Sequence, residues 1–318
     1  MNGIVQSLVA RYERGDRNFR GEHLVGVDLS GLTLKGADFR GALLQSANLS
    51  RTHLENTNFQ GSVLYGANLS FSKLNEAHLD HTTLTKANLT GSILVQANLT
   101  QAKLSGAILQ GVSLRRANLQ GVNLCGADLK GINLRSANLD HANLSWADLR
   151  GARMSGASLE KTNLSHAKLA RAFLNGVNLS GMDLDGVNLS EARMNGVTLN
   201  NTNLRAANLS RVQMRVTGLK QTILVGANLA EADLCRSTLI NAVLKRADLS
   251  GVNLTGARLY NTDLTQAVLD EVILDQVIYQ QQSQESTSKP QVQEEKPQLE
   301  LPSPLQKKSH WERWAWAG

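Results

Sequence analysis

One spacing constrains this chain more than any other feature. From Leu24 to Leu274 every fifth residue is Leu, Phe or Met, at 51 consecutive sites with no insertion. The departures from Leu are Phe39, Phe59, Met154, Met194 and Met214. Two residues before each site stands Ala, Ser, Thr or Val, except at Glu22, Leu32, Ile132 and Met182. Asn or Asp commonly fills the position between. A period of five suits neither regular element. At about 100° per residue a helix would wind the leucines around every face. A continuous strand would send successive leucines to opposite faces. Asn, Ser, Thr and Gly are also weak helix formers. Within one unit, however, the small residue and the Leu two positions later point the same way, as in a strand. The other two residues then turn a corner and restore the inward direction. Gly is common at the second of them, as at Gly111, Gly121, Gly126 and Gly131, where its conformational freedom suits a tight bend. Each unit reads as one short side of a coil with Leu on the axis.

Units such as Ala127-Asp128-Leu129, Ala137-Asn138-Leu139 and Ala147-Asp148-Leu149 resemble those of the pentapeptide-repeat family, whose unit is Ala-(Asp/Asn)-Leu-x-x. The resemblance implies an all-β fold: a right-handed quadrilateral parallel β-helix, four units per coil. The period alone does not fix the number of sides. On that fold residues 19–279 would make roughly 12–13 coils, and at about 4.8 Å per coil a rod roughly 60 Å long. Burying each axial Leu is worth on the order of 1.5–3 kcal/mol, and the small residues let the walls approach closely. The start RYERGDRNFRGEHLVGVDLSG resembles that of many cyanobacterial members, which are often regulatory.

Such a rod has open ends that could pair with other chains. Residues 1–18 read as an N-terminal capping helix. Ile4, Leu8 and Tyr12 recur at four-residue spacing with Val5 and Val9 beside them, an amphipathic pattern. Asn2 suits its N-cap and Gly15 its stop. A membrane-surface helix is the rival reading. Residues 280–318 leave the repeat, carry all four prolines and are expected to be a disordered tail. Its tip holds Trp311, Trp314 and Trp316. Three roles stay open for them: docking on a partner, since Trp is enriched at binding hot spots, closing the open end of the rod, or touching a membrane interface.

Residue chemistry argues against an enzyme. The chain has no phosphate-binding GxxxxGK[ST] loop, no GxGxxG, no GxSxG and no HExxH. The histidines of the repeat fall on outward positions without a metal-ligand set beside them, so neither a metal nor another cofactor is expected. Cys125 and Cys235 lie half a coil out of phase and cannot bridge within one chain. A smooth rod offers no cleft for a small molecule. No apolar run reaches the roughly 18–20 residues that cross a bilayer, and the N-terminus lacks a secretory signal. A cytoplasmic protein is the expectation.

Charge is more informative. The net charge is +6, which sets the chain apart from acidic, DNA-like members of the family that inhibit DNA gyrase. Folded at 20 residues per coil, residues 111–230 place Arg115, Arg116, Arg135, Arg153, Arg171, Arg193, Arg211 and Arg215 on one side, with Glu191 as its only acid. Phe173 should project from the same side. Arginine offers forked recognition of carboxylates and phosphates. The expected function is a non-catalytic protein–protein interaction scaffold that presents this side to an acidic protein surface. The alternative is a nucleic-acid-binding protein that uses the same arginines on phosphates. Phe173 is the single aromatic on that side, which counts against stacking on single strands.

Overall fold

The structure is a computed structural model, and it describes residues 3–280. Parallel bridges link Asn18 to Asp38, Asp38 to Asn58, Asn58 to His78 and onward along the chain, each twenty residues apart. Four five-residue units therefore close one coil, and successive coils stack as parallel strands. Each side contributes three bonds between coils. On one side Leu34 N donates to His53 O at 2.8 Å, Gly36 N to Glu55 O at 3.0 Å, and His53 N to Leu32 O at 2.9 Å. The leucines lie on the axis and are almost fully buried from Leu24 to Leu259. Near the start the axis is aromatic: Phe19, Phe39 and Phe59 stack at centroid distances of 5.3 and 5.4 Å.

Local chemistry explains the remaining positions. At nearly every corner the residue after the turn donates back three positions, as Ala37 N does to Leu34 O at 3.2 Å. The residue before it has positive φ, 64° at Gly36, as a type II turn requires. Where that residue is not Gly, as at Arg116 with φ 56°, the left-handed backbone costs roughly 1–2 kcal/mol. Outward Asn and Asp side chains brace these corners. Asn138 Oδ1 accepts from Asp140 N at 2.9 Å and Asp28 Oδ1 from Ser30 N at 3.0 Å, the short-range bond that suits Asx residues to turns. Buried Thr hydroxyls at the wall donate to the coil before, as Thr52 Oγ1 does to Leu29 O at 3.0 Å. This is why Thr can replace Ala there without a buried polar penalty.

The first coil is covered by α1 (Gly3–Glu13). Val5 and Leu8 are buried in the same core as Phe19 and Leu24, with Val9 and Tyr12 packed beside them. The spacing of these four, i, i+3, i+4 and i+7, is that of one helix face. Ile4 is 47% exposed, so Val5 takes the place the sequence pattern assigns to Ile4. Gly15, with φ 95°, ends the helix, and its amide donates to Tyr12 O at 3.0 Å. Asn2 lies outside the described residues. At the other end β1 (Arg258–Tyr260) pairs in parallel with β2 (Ile278–Gln280). There Leu264, Leu269 and Leu274 are only partly buried.

The ladder breaks at one place. No bridge joins Ser158 to Asn178 or Asn163 to Asp183, although both neighbouring columns are paired. The amides of Leu159, Lys161, Leu164 and His166 have no acceptor on the next coil, while the turns along each coil persist. The break coincides with Met182, a long side chain at a wall position and only partly buried. Thr162 and Thr202 flank it in the same column, and their hydroxyls are tied to Leu139 O and Leu179 O. The bulky Ile132 causes no such break, having the small Ala152 on one side. Crowding of Met182 between two branched neighbours accounts for the splay.

Candidate functional site

The structure places the eight arginines on one side of the rod, but it does not leave them equivalent. Arg171 Nε and Nη2 fork onto Glu191 at 3.0 and 3.2 Å. Arg211 does the same to Glu231 at 2.9 and 3.0 Å. Arg215 lies 3.7 Å from Asp233. The hydrogen bond from Arg171 holds Glu191 below the usual carboxylate range, and the bond from Arg211 does so for Glu231. Within residues 111–230 Glu191 is the only acid on this side. Glu231 and Asp233 stand just beyond, one coil from Arg211 and Arg215. All these pairs are exposed, where ion pairs contribute little to stability.

Five arginines remain without a carboxylate among the described residues: Arg115, Arg116, Arg135, Arg153 and Arg193. Arg115 and Arg135 occupy the same corner on consecutive coils, and Arg116 N donates to Arg135 O at 3.0 Å. Arg153, Phe173 and Arg193 are bridged in one column, so their side chains leave the rod about 4.8 Å apart. Arg193 lies over the Phe173 ring with its guanidinium carbon 5.0 Å from the centroid, a cation–π contact. Phe173 is half-buried rather than projecting freely. Met154, Met194 and Met214 are fully buried behind this side. Trp311, Trp314 and Trp316 lie outside the described residues.

Two features of the surface were not read from the sequence. Trp146 is 63% exposed and stacks on His166 at 4.2 Å between centroids. The twenty-residue separation was the available signal. The second is a cleft of about 820 Å³ where the ladder breaks, lined among others by Ser158, Glu160, Lys161, Asn163, Met182 and Asp183. The expectation of a rod without a cleft is thus corrected. A smooth rod needs every coil in register, and the crowding at Met182 prevents that here. Among the described residues no group of three or more His, Cys, Asp and Glu is placed to hold a metal ion. Cys125 and Cys235 are free. No helix among these residues is long and apolar enough to cross a membrane.

The stacked five-residue sides define a class, the β-helical repeat proteins. The model of the family Pentapeptide repeats matches this chain in successive stretches between residues 23 and 277, leaving out residue 182 and residues 216–218. The chain belongs to the pentapeptide-repeat family. Among solved structures it is similar to HetL, a pentapeptide repeat protein involved in heterocyst differentiation regulation from the cyanobacterium Nostoc sp. strain PCC 7120. That match has 29% identity, covers 86% of this chain and 96% of that one, and has a TM-score of 0.25. It is also similar to QnrB1, a plasmid-mediated fluoroquinolone resistance protein, at 21% identity over 62% of this chain and 86% of the other, TM-score 0.34. A third is Rfr23 from the cyanobacterium Cyanothece 51142, at 26% identity over 51% of this chain and 97% of the other, TM-score 0.18. No curated protein matches this chain.

Proposed function

We propose that this protein is a non-catalytic interaction scaffold of the cytoplasm, a right-handed four-sided coil capped by α1, and that Arg115, Arg116, Arg135, Arg153 and Arg193 receive an acidic surface of a partner protein. The observation that carries this reading is the pairing pattern. On one side of the rod, three arginines are already occupied by carboxylates, and five have no carboxylate among the described residues. An unpaired guanidinium retains its fork of donors for a partner. Flat sides supply area without backbone ordering, since the coils hold the side chains' origins fixed, and the cost left is that of immobilising the arginine side chains. A regulatory role fits HetL, whose description names heterocyst differentiation regulation.

Nucleic acid is the second reading, because arginines at regular spacing also suit phosphates. Phe173 is engaged by Arg193 and so is a poor stacking platform, which favours the protein partner. The test compares two triple variants, Arg135→Ala/Arg153→Ala/Arg193→Ala and Arg171→Ala/Arg211→Ala/Arg215→Ala. Affinity is measured for the partner captured on the full chain and for duplex DNA, at two salt concentrations. The unpaired set is expected to weaken partner binding about tenfold or more, and the paired set much less. Equal losses would remove the distinction on which the proposal rests. DNA binding with a steep log–log salt slope, lost in the unpaired set, would select the nucleic-acid reading.

A further inference from the structure

The C-terminal end of the rod carries an inference that is independent of the arginine side. The axial leucines are almost fully buried as far as Leu259, but Leu264, Leu269 and Leu274 are only partly covered. Beside them Ala267, Val272 and Val277, inward residues of the same stretch, are also only partly buried. The amides of Leu264, Leu269 and Leu274 have no acceptor among the described residues, although the same amide donates to the next coil at Leu244, Leu249 and Leu254. This end is thus both an apolar floor and an unpaired strand edge, a combination that invites association. Its rim has one sign of charge. Residues 261–280 hold Asp263, Asp270, Glu271 and Asp275 and no Lys or Arg.

The chain itself supplies a complement. It continues directly from β2 at this end, and its last fourteen residues, 305–318, contain Trp311, Trp314 and Trp316 with Lys307, Lys308 and Arg313 against a single acid, Glu312. That tip is aromatic and basic where the end is apolar and acidic. Residues 281–310 separate β2 from the first of these tryptophans. A coil of thirty residues has a mean span of about 30 Å, a reach that includes the end of the rod. Tethering gives the tip an effective concentration of order mM, far above that of any second copy or partner at cellular levels. We infer that residues 305–318 close the C-terminal end of the rod, tryptophans on the Leu264–Leu269–Leu274 floor and basic side chains against the acidic rim. The cap shields the open edge from pairing with other chains.

The test uses the full chain with Trp146→Phe, which leaves the three tip tryptophans as the only indoles. Their fluorescence is expected to be blue-shifted, and acrylamide quenching roughly threefold weaker than in a synthetic peptide of residues 305–318, as for indoles packed on apolar surface. The protection should be independent of protein concentration. Two further variants are made in the same chain. Lys307→Glu/Lys308→Glu/Arg313→Glu leaves the rod untouched and should abolish the protection. Deletion of 305–318 should produce self-association in light scattering. Quenching equal in chain and peptide would overturn the inference. So would protection that appears only as concentration rises, which makes a second copy the occupant, or only with anionic phospholipid vesicles, which makes it a membrane.

Discussion

The two ends of the rod meet the same physical problem with different means. At the N-terminal end α1 lays Val5 and Leu8 over the first coil, and Leu24 behind them is fully buried. The helix is fastened by polar contacts: Arg11 binds Asp16 at 2.9 Å and Glu22 at 2.6 Å, and Tyr12 Oη donates to Lys35 O at 3.0 Å. At the C-terminal end nothing among the described residues covers Leu269. The repeat builds a core but cannot finish one, because each coil is buried by its neighbours and the last coil has a neighbour on one side only. The N-terminal solution is local in sequence. The C-terminal one must come from outside the repeat.

The contrast is sharpest under one substitution made at both ends. Leu24→Asp places an unpaired charge on the dry axis and is expected to cost several kcal/mol. In a chain lacking residues 305–318, Leu269→Asp can turn its carboxylate toward solvent and should cost clearly less, roughly 1–2 kcal/mol by the same reasoning. Denaturation midpoints of the two variants check this. Similar losses would mean that the C-terminal end is as well sealed as the other.

A smaller effect concerns how far local opening spreads along the rod from either end. The broken ladder at residues 158–166 should act as a stop, so amide protection should fall in two blocks on either side of it. Met182→Val restores a small wall residue. It should slow exchange at Leu159, Leu164, Asn178 and Asp183 about tenfold and merge the blocks, by re-forming buried backbone bonds. Site-resolved hydrogen exchange makes the comparison. Unchanged rates at those four amides would show that Met182 does not cause the break.

The smallest effect separates the ends by pH. The Asp16 carboxyl is held below its ordinary range, first by the amide of Asn18 and then by Arg11. A carboxyl whose folded pKa is depressed contributes stability that is present above its unfolded pKa and lost as pH falls through the folded one. Acidification below about pH 4, the ordinary Asp value, should therefore loosen α1. The shift in exchange should be modest for so exposed a group, and Asp16→Asn should flatten the pH dependence. A helix whose protection ignores pH from 5 to about 2.5 in the unmodified chain would count against this contact.

The local pattern already fixed much of the molecule. Which residues face the axis, where the corners fall, why Gly recurs there and why the walls are small all follow from the five-residue unit. Each depends on atoms within one side. The same holds for the helix at the start, except that pattern alone could not choose between Ile4 and Val5. Tertiary structure decided whatever depends on residues twenty apart. The pairing of Arg211 with Glu231, the stack of Trp146 on His166 and the seam at Met182 are contacts between coils. The number of sides per coil belongs with them: the family resemblance anticipated four, and the bridges from Asn18 to Asp38 onward show it. A period of five is compatible with several closures. Only the hydrogen bonds between neighbouring coils, formed once the chain has returned on itself, select the one in which position n lies beside n+20.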